Sequence, residues 1–369
     1  MSTVQRDGYF YEYVKTDMGR RMIKAKSEEI LRQKRQAILS DGKTFKDIFD
    51  AVQVRKLEHA KGEKALSVQN SLVRRRQTYN RFFTGTSFEQ MGVQDITARD
   101  IERIYAHNLR RYDLRKKAVI DMRCALKSVF DYSMRHGIIE VNPYLSCDFD
   151  EYKDMIVPDS KISERGYSRD EMQKVMEYLH CKQFGGQRTT YAPFALELQI
   201  LCGLRRGEVP PLRWADLHDG VIEIHREQIT LKATGGRPEH DEIVGHTKTW
   251  TDRIYPITDS VMDLLKRIKT AQFYDEYKGQ YLFPAKSGCI SNSTVYQFYR
   301  RMCDALDIPV RPDRIRGTHA FRRNAITDVI NRTGGNSVMA SQLFGNSPQV
   351  AEKHYFTGID LSAAKQFLS

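Results

Sequence analysis

The residues best suited to chemistry lie in the second half of this 369-residue chain. Arg205 stands in the run GLRRGE at 203–208, His319 and Arg322 share the run HAFR at 319–322, and Tyr355 lies fourteen residues before the C-terminus. A DNA phosphodiester is anionic, and attack on it builds further negative charge on the non-bridging oxygens. Arginine stabilises such charge better than lysine because its forked guanidinium is always charged. Two arginines, a histidine and a late tyrosine in this order form a set able to break and rejoin DNA.

The order and spacing of these residues resemble those of the tyrosine recombinases, also called phage integrases, and among these the integrases of conjugative transposons. The resemblance covers most of the chain. It implies that Arg205 and Arg322 clamp the scissile phosphate, and that His319 hydrogen-bonds the phosphate and assists proton transfer to or from the tyrosine. Tyr355 would then be the nucleophile, giving a 3′-phosphotyrosyl link and a free 5′ hydroxyl. Covalent catalysis conserves the bond energy, so the resemblance implies no cofactor, ATP or metal.

Two further residues complete the site that the resemblance implies. Glu208 follows Arg205 by three residues, on the same face of an expected helix, and would support the geometry of the site. Lys248, in the run GHTKTWTDR at 245–253, matches the lysine that protonates the departing 5′ oxygen at the turn of a hairpin, a role that an ammonium on a flexible stem can fill. Lys232 is a competing candidate near another turn. Lys248 is favoured because TKT followed by RIYPI resembles the family hairpin more closely.

One position departs from the family pattern. Where the family has leucine, glycine and histidine, or a tryptophan in place of the histidine, this chain has Phe344, Gly345 and Asn346. An asparagine amide can donate a hydrogen bond to a phosphate oxygen, but it neither titrates nor carries charge. We therefore expect Asn346 to contact the scissile phosphate, with capping of the turn after Gly345 as the alternative.

Other basic residues fall outside this set. Arg206 and Arg323 each follow a motif arginine directly, so on a helix each would face a different direction and take no part. In the first half of the chain, basic residues cluster on expected helices, where they would supply phosphate contacts to DNA. A solvated helix face is the plainer explanation. These candidate DNA-binding residues are Arg74, Arg75, Arg76, Arg110, Arg111, Arg115, Lys116 and Lys117.

The first 150 residues divide into two parts, which precede the elements that carry the site. Residues 1–42 form a basic N-terminal appendage, whose expected strand, turn, strand and helix resemble the arm-type DNA-binding modules of conjugative-transposon integrases. A structural extension is the alternative. Residues 43–150 read as helical throughout, and they resemble the core-binding (SAM-like) domain of the family. The best-defined helix carries one apolar stripe, formed by Ala118, Met122, Ala125, Val129 and Tyr132.

The remaining chain predicts a linker and a second domain. Residues 151–164 show no periodicity, as is typical of an interdomain linker. Residues 165–369 are mixed and mainly helical, beginning with a capping box between Ser168 and Glu171. The β-rich stretches are 221–224, 228–231 and 249–257. The predicted fold class is therefore mainly α with a small β-sheet: an all-helical core-binding domain plus an α+β catalytic domain, which close on DNA as a C-shaped clamp.

Composition and charge are consistent with a nucleic-acid partner. Lys plus Arg total 59 against 47 Asp plus Glu, a net charge of +12, and such an excess favours polyanions. The six cysteines are scattered without a C-x-x-C pair, which suits reduced thiols better than disulfides or zinc. No apolar run reaches the roughly 18–20 residues of a membrane span, and the polar N-terminus lacks a secretory signal. We expect a cytoplasmic protein of a prokaryotic cell, associated with the nucleoid when bound.

The resemblance also implies partners. Exchange of two duplexes needs four cuts, so a homotetramer on two double-stranded attachment sites is expected, with an excisionase or a DNA-bending protein as a further candidate partner. A C-terminal amphipathic helix at 360–368 would dock on a neighbouring subunit. Three alternatives remain open: a non-catalytic DNA-binding protein of the same fold, a type IB topoisomerase, and a metal-dependent nuclease. The last would use residues that follow no recognised ligand spacing, namely His225, His240, His246, Asp241 and Glu242.

Overall fold

The computed structural model describes residues 4–16, 19–31, 43–159, 162–184, 190–233, 238–286, 288–309, 316–358 and 365. The chain divides into two compact units, 1–159 and 160–369. The fold is mainly α-helical with small antiparallel sheets, which confirms the predicted fold class. The helix expected at 360–368 lies outside the described residues, apart from residue 365. Within the described ranges, no helix has the length and apolar character needed to cross a membrane.

Three antiparallel strands open the first unit, in the order β1 (Val4–Arg6), β2 (Tyr9–Thr16) and β3 (Gly19–Ala25). The two strands expected from the sequence correspond to β2 and β3, and the turn expected between them includes residues 17 and 18, which lie outside the described residues. Strand β1 was not predicted, because three residues carry too little periodic signal. A helical turn follows, where Ser27 Oγ accepts a hydrogen bond from the Ile30 amide at 3.3 Å, a contact typical of a helix N-cap. The buried side chains of this small core are Ile23, Ala25 and Leu31.

Helices make up the rest of the first unit. They are α1 (Phe45–Glu58), α2 (Glu63–Phe82), α3 (Ala98–Arg111) and α4 (Lys116–Arg135). Thr44 and Thr97 begin α1 and α3 with capping boxes, in which the threonine hydroxyl accepts from the amide three residues on and the aspartate there accepts from the threonine amide. Aromatic rings and the predicted apolar stripe of α4 form the core. Its fully or almost fully buried members include Phe45, Phe49, Tyr79, Phe83, Met122, Ala125, Val129 and Phe130.

The chain leaves the helical unit gradually. Helix α4 gives way to Gly137, whose φ of 66° is the left-handed conformation common after a helix C-terminus. The predicted linker, 151–164, starts within a 3-10 helix, Asp150–Met155, and side chains as far as Ile156 pack on the helical core. The division between the two units falls after Asp159. Aromatic and aliphatic anchors therefore keep the first part of this segment on the helical unit.

The second unit is built around one buried helix. Its helices are α5 (Arg169–Gln183), α6 (Ala192–Leu201), α7 (Asp259–Tyr274), α8 (Asn292–Ala305), α9 (His319–Arg332), α10 (Ser337–Phe344) and the three-residue α11 (Pro348–Val350). The expected capping box of Ser168 and Glu171 begins α5. Helix α6 is buried along almost its whole length, and its buried Glu197 pairs with Arg267 of α7 at 2.7 Å. The central helix thus ends inside the core, where the site begins.

Short antiparallel strands flank these helices. They are β4 (Leu217–His218), β5 (Val221–Ile224), β6 (Glu227–Leu231), β7 (His240–Val244), β8 (Arg253–Pro256), β9 (Pro284–Ala285) and β10 (Gly288–Cys289). They pair in the orders β4-β5-β8, β6-β7 and β10-β9. The strand expected at 249–257 starts only at Arg253, because a turn precedes it. Strand β7 was not predicted, since His240, Asp241 and Glu242 interrupt any apolar alternation.

Candidate active site

The chain leaves α6 through a turn that requires glycine. Gly203 has φ 56°, and a Cβ at this position would lie 2.5 Å from the Phe344 ring and 2.8 Å from the Cβ of Ala325. Any larger residue would force apart the end of α6 and the two helices α9 and α10. This close approach places the first arginine motif beside the segments that carry the second arginine, the histidine and Asn346.

Arg205 follows in extended conformation and caps one turn of 3-10 helix, Arg206–Glu208. A longer helix was expected here, but Pro210 and Pro211 have no amide hydrogen with which to continue it. The short turn still brings the carboxylate of Glu208 to Arg205. Oε1 accepts a hydrogen bond from Arg205 Nη1 at 2.9 Å, and Oε2 accepts one from the Arg205 backbone amide at 2.7 Å.

Glu208 is fully buried and also binds an arginine from β8. Arg253 donates from Nη1 to Oε1 at 2.9 Å and from Nη2 to Oε2 at 2.5 Å. Burial alone would raise the pKa of Glu208, but the hydrogen bonds from Arg253 and the charges of Arg253, Arg205 and Arg322 lower it overall. The ionised carboxylate of Glu208 therefore fixes the position of Arg205 through its two hydrogen bonds. Arg253 was not among the predicted site residues, because no local signal indicates a pairing across 45 residues.

Arg322 lies on the first turn of α9 and is fully buried. Its Nη1 donates to the Gly203 carbonyl at 2.8 Å, and its Nη2 donates to the Phe344 carbonyl. Burial and the neighbouring charge of Arg205 lower the pKa of Arg322 to about 10, which leaves the guanidinium charged at neutral pH. The Gly203 turn thus brings together the two arginines predicted to act as a pair.

Asn346 links these two arginines. Its Oδ1 accepts a hydrogen bond from Arg205 Nη2 at 3.2 Å and one from Arg322 Nη2 at 3.2 Å. Gly345, with φ 62°, ends α10 and gives its carbonyl to Arg205 Nη2 at 2.9 Å. The Asn346 Nδ2 is buried and has no hydrogen-bond acceptor among the described residues. The capping role considered as an alternative is filled by Ser347, whose hydroxyl begins α11.

His319 and Tyr355 meet beside the arginines. Nε2 of His319 lies 2.9 Å from the Tyr355 hydroxyl, and the guanidinium carbon of Arg322 lies 5.8 Å from the centre of the tyrosine ring. Desolvation and the charges of Arg322, Arg323 and Arg205 lower the pKa of His319 to about 4, although the side chain remains partly exposed. The imidazole is therefore neutral at pH 7. Its Nε2 can accept the tyrosine proton when Nδ1 carries the ring hydrogen.

Lys248 lies on an exposed turn between β7 and β8. The hairpin expected there is wrong, because β6 and β7 pair with each other and are inserted between β5 and β8, which also pair. Trp250 has φ 56°, an uncommon value for a bulky residue, and its indole stacks on the His246 ring with centroids 3.5 Å apart. The buried Thr247 hydroxyl donates to a carbonyl four residues on at 2.9 Å. From this turn, the charge of Lys248 contributes to the lowered pKa of His319.

Lys232, the other candidate for the proton donor, and the residues of the metal-site alternative lie close to Lys248 in the sequence. Lys232 follows β6 and pairs with Glu239 at 2.7 Å. His246 Nδ1 lies 2.9 Å from the Thr247 carbonyl, while His240 Nδ1 lies 3.1 Å from a proline carbonyl. In the part of the chain that the structure describes, no three His, Cys, Asp or Glu side chains form a group that could hold a metal ion.

The two arginines excluded on sequence grounds behave differently from each other. The Arg206 guanidinium packs over the Tyr296 ring at 4.9 Å. Arg323 instead donates from Nε to the His354 carbonyl at 3.3 Å, directly beside Tyr355. That it takes no part in the chemistry stays a prediction. Helix α9 brings its adjacent Arg322 and Arg323 to the segment around Tyr355, because that segment runs alongside the helix.

The candidate DNA-binding residues of the first unit lie on α2 and around the junction of α3 and α4. Arg76 pairs with Asp50, and its guanidinium carbon lies 5.0 Å from the centre of the Phe49 ring and 5.6 Å from that of Tyr79. Lys117 pairs with a neighbouring aspartate on its own helix. The remaining six are exposed or half-buried: Arg74, Arg75, Arg110, Arg111, Arg115 and Lys116. Arg76 thus has a structural role inside the unit, while the exposed members form its basic surface.

Comparison with known proteins agrees with this geometry. The sequence model described as the phage integrase family matches residues 167–350. No curated protein matches the chain. Among solved structures, the chain is similar to the Tn1549 transposon integrase in complex with a circular intermediate DNA, with a TM-score of 0.63 and 16% identity, covering 88% of this chain and 98% of that chain. A lambda integrase dimer bound to a COC′ core site gives a TM-score of 0.63 and 15% identity, covering 97% and 95%. A lambda integrase tetramer bound to a Holliday junction gives a TM-score of 0.60 and 15% identity, covering 94% and 95%.

The fold of the second unit, together with its paired arginines, histidine and late tyrosine, is that of a tyrosine recombinase. Through its domain at 167–350, the chain belongs to the phage integrase family, as the order of the motifs predicted.

Proposed function

We propose that this protein is a site-specific DNA recombinase that cleaves and rejoins DNA through Tyr355, integrating and excising a mobile element or phage. The observation that carries this proposal is the 2.9 Å contact between His319 Nε2 and the Tyr355 hydroxyl, next to two arginines that share one asparagine oxygen. A nucleophile, a neutral base and two fixed cations are the parts that phosphoryl transfer from DNA requires.

Cleavage begins when Tyr355 Oη attacks the scissile phosphorus. His319 Nε2 takes the phenolic proton, which its neutral state at pH 7 allows. Arg205 and Arg322 bind the non-bridging oxygens, on which negative charge grows in the transition state. The Nδ2 of Asn346, which has no acceptor among the described residues, donates to one of these oxygens. Glu208 acts through Arg205 and does not touch the phosphate.

The leaving group is the 5′ oxygen. As the new Oη–phosphorus bond forms, the phosphorus–O5′ bond breaks, and Lys248 gives its proton to the departing oxygen. The products are a 3′-phosphotyrosyl link and a 5′ hydroxyl. Rejoining reverses these steps with a 5′ hydroxyl from the partner strand, so the phosphotyrosyl bond supplies the energy and no cofactor or metal takes part.

The assembly follows from the number of cuts. Each chain has one such tyrosine, so four subunits on two double-stranded sites exchange both strands. The lambda integrase tetramer on a Holliday junction supports this stoichiometry by likeness of fold. In this proposal, residues 165–369 are the catalytic domain and 43–150 the core-binding domain. The two close around the duplex as a C-shaped clamp, with 151–164 as linker and 1–42 on arm sites. An excisionase or DNA-bending protein sets the direction, in the cytoplasm of a prokaryotic cell.

The test is covalent trapping on a nicked suicide substrate carrying the attachment site, resolved on denaturing gels. The wild-type protein should form an adduct in EDTA, while Tyr355→Phe should form none and keep its DNA affinity. An adduct that persists in the Phe variant would overturn the assignment. Exchange between two intact sites, scored in parallel reactions on supercoiled DNA, separates a recombinase from a type IB topoisomerase. The latter would relax supercoils without exchange.

A further inference from the structure

Helix α9 carries a stripe of four polar side chains, each of which contacts the tyrosine segment. We define this stripe as His319, Arg323, Thr327 and Asn331, and the tyrosine segment as residues 354–358. Residues four apart on a helix lie one above the other on the same face. His319 belongs to the site already described. The other three members hydrogen-bond the backbone of the tyrosine segment and take no part in the proposed chemistry.

Thr327 makes the central contact. Its hydroxyl donates to the Tyr355 carbonyl at 3.1 Å and accepts from the Thr357 amide at 3.1 Å, and it lies 3.2 Å from the Thr357 hydroxyl. A threonine hydroxyl has one hydrogen and two acceptor sites, so these three contacts use its full capacity. The backbone from the carbonyl of Tyr355 to the amide of Thr357 is thereby fixed to one atom of α9.

Arg323 and Asn331 hold the two ends of the segment. Arg323 Nε donates to the His354 carbonyl at 3.3 Å, and Asn331 Nδ2 donates to the Gly358 carbonyl at 3.1 Å. The rise from residue 323 to 331 is about 12 Å along a helix. The segment leaves its helical turn at Tyr355 and is extended at Phe356. It runs alongside the helix, and the three side chains reach the carbonyls of residues 354, 355 and 358 in turn.

The tyrosine segment has little secondary structure of its own. Residues Ala351–Tyr355 form a single π-helical turn, closed by the Phe356 amide on the Ala351 carbonyl at 2.9 Å, and α11 before it has three residues. Such a turn is short of the length at which a helix supports itself. The side-chain contacts from α9 therefore carry much of its order.

We infer that Arg323, Thr327 and Asn331 form a clasp that seats Tyr355 in the site of its own chain before DNA is bound. This inference rests on the proposed role of Tyr355 as nucleophile. The three are positioning residues: they set where the phenol stands relative to His319, and the number of intact contacts sets how often the segment opens. Loss of the Thr327 hydroxyl removes its contacts to both Tyr355 and Thr357 at once, so it is the most damaging single change.

The experiment compares Thr327→Val and Thr327→Ser in the full chain. The first keeps the shape and removes the hydroxyl, and the second keeps the hydroxyl. Thr333→Val is the matched control, because the Thr333 hydroxyl is also half-buried at α9 but bonds only to carbonyls of its own helix, the nearer at 2.6 Å. The two measurements are hydrogen exchange of the Thr357 amide in the DNA-free protein and single-turnover cleavage of the suicide substrate.

We expect Thr327→Val to speed exchange of the Thr357 amide and to slow cleavage, each by about tenfold, with other amides of α9 unchanged. Thr327→Ser and Thr333→Val should stay within about threefold of the wild type. Wild-type exchange in Thr327→Val would overturn the clasp, as would faster exchange with wild-type cleavage.

Tyr355→Phe separates this inference from the proposed function. It should form no adduct while the Thr357 amide stays protected. If it still forms an adduct, the nucleophile is misassigned. The clasp is then tested only by whether Thr327→Val speeds exchange of the Thr357 amide.

Discussion

Asn346 occupies the point where the two arginine side chains meet. Its Oδ1 serves both guanidinium groups, so the amide is oriented with its Nδ2 away from them. The chain thus fills a family histidine position with a residue that orders the arginines and still keeps one donor, without any group that titrates near neutral pH.

Asn346→Ala should slow single-turnover cleavage by about a hundredfold, because it removes a donor to the growing charge. Asn346→His should keep or improve the rate. Asn346→Asp is the sharper control: it retains acceptors for both arginines but loses the amide donor and adds a negative charge, so it should be at least as slow as the Ala variant. Single-turnover cleavage is measured beside thermal melting. A slower His variant with unchanged stability, or an Asp variant at the wild-type rate, would contradict the phosphate contact.

The lowered pKa of His319 has a consequence for stability. In the unfolded chain the imidazole has a pKa near 6.5, whereas in the folded protein it lies at about 4. Between these values the unfolded chain binds a proton that the folded protein does not, so stability falls as pH drops from about 6.5 towards 4. Wild-type protein should lose more stability between pH 7 and pH 5 than His319→Gln, in urea unfolding at both values. Equal losses would show that the folded imidazole titrates normally.

At the scale of elements, several segments of the site are joined through one buried carboxylate, that of Glu208. Glu208 joins the 3-10 turn after α6 to β8 through Arg253, and Arg205 then reaches the end of α10. A buried carboxylate is tolerated only while its cations remain, since an unpaired charge in the interior is strongly unfavourable. Strand β8 is therefore part of the site through a side chain that never contacts the phosphate in the proposed reaction.

Arg253→Gln should lower the free energy of unfolding by about 3–5 kcal/mol and also slow cleavage, because Arg205 loses its support. Arg267→Gln is the matched control, since it breaks another arginine pair with a buried glutamate, Glu197, that includes no site residue. It should be destabilising as well. Assayed well below both melting temperatures, only the Arg253 variant should cleave slowly. Equal cleavage rates for the two would reduce Arg253 to a stabilising role.

Local signals predicted the parts of this site that depend on local structure. The capping box at Ser168 and the apolar stripe of α4 each join residues three or four apart, and each motif is a run of a few residues. The pairing of Glu208 with Arg253 and the contact of Arg323 with the tyrosine segment depend on tertiary placement, which no spacing rule contains. The hairpin around Lys248 was mispredicted for a similar reason, because strand pairing is decided by neighbours distant in sequence.

At the scale of the whole molecule, charge is the property that relates both units to DNA. The net charge of +12 makes association salt-dependent, since each phosphate contact releases counterions. The first unit contributes exposed arginines on α2, but Arg76 is already paired with Asp50. Neighbouring residues of one type are thus divided between a structural role and a surface role, which a count of basic residues does not show.

Arg74→Gln and Arg76→Gln form a matched pair on one helix. If Arg74 contacts a phosphate, its loss should weaken DNA binding and reduce the slope of log affinity against log salt by about one, with melting unchanged. Arg76→Gln should instead lower the melting temperature and leave the slope unchanged, because its charge is satisfied inside the unit. Binding titrations at several salt concentrations, with thermal melting, separate the two. A reduced slope for Arg76 alone would reverse the assignment.

The stacking of Trp250 on His246 lets tryptophan fluorescence report on the conformation of the Lys248 turn. An indole held against an imidazole loses fluorescence through contact quenching, and it brightens when the rings separate. The chain has one other tryptophan, Trp214, whose Nε1 donates to Gln272 at 2.9 Å, and Trp214→Phe would leave Trp250 as the sole emitter. Stopped-flow mixing with DNA would then time the movement of Lys248, the proton donor that we propose, against the appearance of the covalent adduct. The order of the two signals would tell whether the acid arrives before the bond to phosphorus forms.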